Sequence, residues 1–144
     1  MPFLVKTDLY THIQPEVITE ITRSTDAIVT DAINGAISKA SSFLSRYDRL
    51  ALFGNATTDP TYTDANLTRT VKDIACWDLI VLCNASIDLP LFEIRYNHAV
   101  KYLKEIQAGI AEPFGWPVFN AANAPLNIGD SVSFNSYPKR SNNY

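Results

Sequence analysis

Few side chains in this chain have types and spacings that could do chemistry. His12 and His98 are its two histidines, and neither has a second histidine or cysteine three or four residues away, as a helical metal site would. His98 falls beside an apolar stripe and reads as a solvent-edge or partly packed imidazole. A Cys–His nucleophile is conceivable between Cys76 or Cys83 and His98, but both cysteines sit in an apolar run, which raises a thiol's pKa and makes it inert. Seven residues separate the cysteines. On one helix that is roughly 10 Å of rise, too far for a disulfide, so both read as reduced, buried thiols.

Asp78 interrupts the run "IACWDLIVLC". Leaving it ionised and unpaired in a core would cost several kcal/mol, so it must reach the surface or meet a cation, for which Arg46, Arg49 and Arg95 are candidates. The group "RYDR", Arg46 to Arg49, could hold a phosphate, although one arginine serving Asp78 or Asp48 and the other solvated is the plainer reading. No glycine-rich phosphate loop, Ser-His-Asp arrangement or facing pair of acids is discernible in the sequence. The sequence therefore assigns no catalytic, metal-binding or cofactor-binding residue, and the chain is expected not to be an enzyme.

The elements that would position these groups are helices. "KTDLYTHI" opens with Thr7 or Asp8 as a cap, and Pro15 suits the first turn of "PEVITEIT", giving two short helices before Ser24. From Ser24 to Asp48, Val29, Ile33, Ala36, Ala40, Phe43 or Leu44, and Tyr47 recur at helical spacing, which predicts a helix of about six turns. Ala32, Ala36, Ala40 and Gly35 would let a neighbouring helix approach closely. A loop follows from about Gly54 to Thr63, and Thr63 or Asp64 caps the next helix. That helix becomes apolar on every side from Ile74 to Cys83, as in a helix surrounded by protein. Asn84 to Asp88 turns the chain into a last helix with Phe92, Tyr96, Ala99, Leu103 and Ile106 inward and Gly109 as its C-terminal cap. The expected core is Trp77, Leu79, Leu82, Tyr96, Ala99, Leu103 and Ile106. The fold class is all-α: three main helices plus two short N-terminal ones over residues 1–109, then an extended C-terminal arm over 110–144.

With 144 residues, 47% of them hydrophobic, the chain suits one core. A net charge of −3 supplies no basic excess for gripping a phosphate backbone. The longest apolar run, Leu79 to Cys83, falls far short of the ~20 residues of a membrane span, and no signal peptide is evident; a soluble protein made in a cytoplasm is expected.

The arm is the unusual part. Sixteen of its 35 residues are Pro, Gly, Asn or Ser, yet it carries six aromatics, Phe114, Trp116, Phe119, Phe134, Tyr137 and Tyr144, and four charges. Disordered tails tend to be charged and poor in aromatics, so these rings are expected to be buried against something. "PFGWP" could return to its own bundle, and "SVSFNSY" alternates as an edge strand would and could add to a partner. The six aromatics are the expected partner-binding residues, with Trp116, Phe134 and Tyr137 as the main anchors.

The order "LVKTDLYTHI", "AISKASSFLSRYD", "LTRTVKDIACWDLIVL", "RYNHAVKYLKEIQAG" resembles the Mu-type phage and prophage family of small helical head-to-tail joining proteins, from about Phe3 to Gly109. The resemblance implies a virion protein of the neck, an adaptor or connector that contacts the portal and tail proteins. It further implies a homo-oligomeric ring of about twelve subunits, with DNA passing through the lumen, no sequence-specific nucleic-acid binding and no membrane association. No functional residues come with it, and the sequence departs from the family after Gly109. Two other readings stand beside it. A small helical DNA-packaging or DNA-binding module would need a basic recognition helix, and a small helical ligand-binding protein or enzyme would need a pocket with convergent polar groups.

Overall fold

A computed structural model of the chain describes residues 1–82 and 89–120. The protein is an all-α bundle, as its periodicity requires. A 3-10 helix, Lys6–Thr11, is followed by α1 (Pro15–Thr22), α2 (Asp26–Ser42), α3 (Arg49–Phe53), α4 (Ala65–Leu82) and α5 (Leu89–Gln107). Among the described residues the β-structure amounts to one isolated antiparallel bridge, Tyr47 to Val118.

Local chemistry sets the helix ends. Pro15 occupies the first turn of α1, with no backbone N–H to waste there. In the 3-10 helix the cap residue is Val5, not Thr7 or Asp8; Asp8 works from inside the turn, its Oδ2 accepting the Val5 N–H at 2.8 Å. Asp64, not Thr63, caps α4 by accepting the Leu67 N–H at 2.7 Å. The long helix expected to run to Asp48 stops at Ser42. Asp48 instead starts the short α3, its Oδ1 accepting the N–H groups of Leu50 and Ala51 at 3.1 Å each. A carboxylate held against two free N–H groups at a helix start outcompetes continuation of the apolar stripe.

α4 is the central element, packed on α2 along one side and α5 along another, with α1 and the 3-10 helix against it. Val29, Ala32, Ile33, Ala36 and Ala40 of α2, Leu67, Val71, Ile74, Ala75 and Leu79 of α4, and Ala99, Leu103 and Ile106 of α5 form one continuous core. Gly35 does not serve the helix approach assigned to it: it is exposed, and a Cβ there would meet nothing. The apolar end of α4 is not enclosed either. Leu79 and Ile80 are buried, but Leu82, expected in the core, is 66% exposed and Val81 is 59% exposed. Trp77 and Tyr96 are half-buried at the edge of the core, stacked with centroids 5.7 Å apart.

Candidate functional site

Two places on the bundle gather groups capable of recognition. The first begins where α5 ends. Gly109 has φ +77°; its N–H bonds the Ile106 carbonyl at 3.1 Å, and the Ile110 N–H reaches back to the Glu105 carbonyl at 2.9 Å, the paired pattern that closes a helix with a left-handed glycine. The chain then runs over the bundle. The Asp48 N–H donates to the Pro117 carbonyl at 2.9 Å, and the Phe119 N–H donates to the Arg46 carbonyl at 3.0 Å. Between these, Trp116 is 5% exposed and meets Tyr47 edge-on at 5.3 Å.

Trp116 therefore belongs to the chain's own core and is not an outward partner anchor. Its neighbours face the other way: Phe114 is 99% exposed, Val118 70% and Phe119 48%. Phe114, Trp116, Val118, Glu112 and Arg46 line a shallow cavity of about 460 Å³, and among the described residues the buried Trp116 indole N–H has no acceptor. Phe134, Tyr137 and Tyr144 lie outside the described residues, as do the "SVSFNSY" segment and Cys83. "RYDR" does not form a phosphate cradle. Arg46 and Arg49 are both exposed, Asp48 caps α3, and the backbone of residues 46–48 receives the C-terminal segment.

Asp78 takes the surface alternative. Partial desolvation raises its carboxyl above the ordinary range, opposed by Lys39 of α2 and by none of the three arginines considered. Lys39 also lies over the Tyr96 ring, 4.7 Å from its centroid. The Cys76 thiol is buried and pushed up to about 12, chiefly by desolvation and then by Asp73, which leaves it protonated and unreactive. His98 is exposed. Among the described residues no three metal-ligating side chains converge.

The second place did not emerge from the sequence. His12, just past the 3-10 helix, stands across from Asp73 of α4, Nε2 3.5 Å from Oδ1, and each side chain is only 15% exposed. Its Nδ1 meets the Thr11 hydroxyl at 2.8 Å, and Lys72 Nζ donates to the same hydroxyl at 3.3 Å. Arg69 of α4 and Arg95 of α5 complete the walls of a cavity of about 310 Å³ with Thr11, His12 and Asp73. Burial lowers the His12 pKa, and Lys72, Arg95 and Arg69 lower it further. Burial raises Asp73, against the pull of Arg95 and Arg69. Both shifts favour the neutral form of their group and so weaken the His12–Asp73 ion pair. Sixty-one residues separate His12 from Asp73, so spacing could not have shown them as neighbours.

No family model, curated protein or solved structure matches this chain.

Proposed function

We propose that the chain is a structural virion protein of a tailed phage, a head-to-tail adaptor in the neck that assembles as a ring beneath the portal and works through protein contacts. The observation that carries this reading is the division of labour at the C-terminal segment. Trp116 fixes the segment to the bundle, while Phe114 stands 99% exposed beside the shallow cavity, with Val118 70% and Phe119 48% exposed next to it. Together Phe114, Val118 and Phe119 present an exposed apolar patch, the kind of surface that marks a protein contact. A partner that covers Phe114, Val118 and Phe119 removes this apolar surface from water. The net charge of −3 suits a ring around DNA, because a basic lumen would retain the DNA by counterion release.

The test is a Phe114→Ala/Phe119→Ala double variant, scored for thermal unfolding as free subunit and for incorporation into tailed particles. Normal unfolding with failed joining is the expected result. Normal joining would refute the contact, and a cryo-EM map of the neck without this chain would refute the assignment to the virion.

A further inference from the structure

The cleft around His12 contains more positive charge than its own carboxylate can balance. Arg69 and Arg95 line the cavity with Asp73, while Lys72 stands at its rim on the Thr11 hydroxyl; burial favours the neutral His12 ring, so the walls carry an excess of one positive charge and the rim a second. Among the described residues neither guanidinium has a carboxylate at ion-pair distance. The two arginines line the cavity from different helices, Arg69 from α4 and Arg95 from α5, where its guanidinium also lies over the Phe92 ring at 5.5 Å, and Thr11 lines it from the 3-10 helix. Planar guanidinium forks match oxyanions with two parallel hydrogen bonds. A cavity of about 310 Å³ has room for a small tetrahedral anion with a few waters.

We propose that this cleft binds inorganic phosphate as hydrogen phosphate, with Arg69 and Arg95 gripping its oxygens and Asp73 accepting a hydrogen bond from its P–OH group. A monocarboxylate would leave one positive charge unbalanced. Sulfate matches the charge and shape but has no O–H to donate, so it would set bare oxygens against the Asp73 carboxylate. The site is independent of how the chain assembles, since every group belongs to one subunit.

The test is calorimetric titration of the full chain with sodium phosphate and, separately, sodium sulfate at pH 7.5 and fixed ionic strength, with the His12 ring followed by NMR and the exposed His98 as internal reference. Expected are saturable binding at one site and at least about a tenfold preference for phosphate over sulfate, with at least about a tenfold loss in Arg69→Gln and in Arg95→Gln. Arg49→Gln, on α3, should change nothing. Asp73→Asn should erase the preference by letting sulfate in. The His12 ring should titrate higher with phosphate present, because the bound anion offsets Arg69, Lys72 and Arg95, with Asp73 on its other side and Cys76 remaining a neutral thiol. Absence of saturable binding, equal binding of the two anions by the natural chain, or displacement of phosphate by duplex DNA would each overturn the assignment. The anion comparison and Asp73→Asn keep it testable if either arginine variant fails to fold.

Discussion

The α4–α5 hairpin and the segment 110–120 both bury large side chains, but by different means. In the hairpin, burial is repeated: Ile74, Leu79, Ala99, Leu103 and Ile106 recur at helical spacing, and each is supported by the next turn. In the segment it depends on one side chain. A regular strand would put Phe114, Trp116 and Val118 on the same face, yet Trp116 is buried while the other two are exposed. Gly115, at φ +79°, turns the chain between Phe114 and Trp116, and a Cβ there would come within 3.2 Å of the Tyr62 hydroxyl. Periodicity thus specifies a helix's buried face redundantly, whereas an extended segment is fixed by a single anchor and a few backbone bonds.

The largest expected effect tests the anchor. Trp116→Ala should destabilise the subunit by about 3–5 kcal/mol, measured by denaturant unfolding, while Trp116→Phe should lose far less because it keeps a ring and removes the unpaired N–H. If Trp116→Ala unfolds like the natural chain, the segment is not anchored as described. Within the hairpin, Leu103→Ala, at a fully buried position, should cost about 2–5 kcal/mol. Leu82→Ala, at the exposed end of α4, should stay within about 0.5 kcal/mol; similar losses at both sites would erase the distinction between buried stripe and uncovered end.

Asp48→Ala removes the cap that starts α3 and should cost about 1 kcal/mol, and it should also loosen the Asp48–Pro117 contact, seen as faster amide exchange at residue 48. The smallest effect is electrostatic. His12 holds its proton less tightly folded than at its ordinary 6.5, so its contribution is complete above that value and is lost as pH falls through it. Asp73, raised by burial, has the opposite sign: it takes up a proton on folding and gains stability as pH falls toward its ordinary 3.8. His12→Gln should therefore flatten the loss of the urea midpoint as pH falls below the ordinary 6.5. An unchanged slope would show that His12 is not buried against α4.

Residue spacing located the three main helices and the two short N-terminal ones, though it ran α2 on to Asp48 and missed α3, and it placed Pro15 and Gly109 at their helix ends through backbone restrictions that travel with the residue type. It also indicated that Cys76 would be inert and that Asp78 needed either solvent or a cation. Tertiary structure decided the rest. Phe43 to Tyr47 continue the stripe of α2 in sequence, but Asp48 caps a new helix and the returning chain pairs with that corner. Val81 and Leu82 read as core, but burial depends on whether a neighbouring element extends that far. Trp116 and Phe114 have similar apolar character and differ in fate because Gly115 turns the backbone between them. The cleft was the least legible feature: Thr11, Arg69, Asp73 and Arg95 become a site only when α4 lies between the 3-10 helix and α5, and no local pattern encodes a contact made across that distance in the chain.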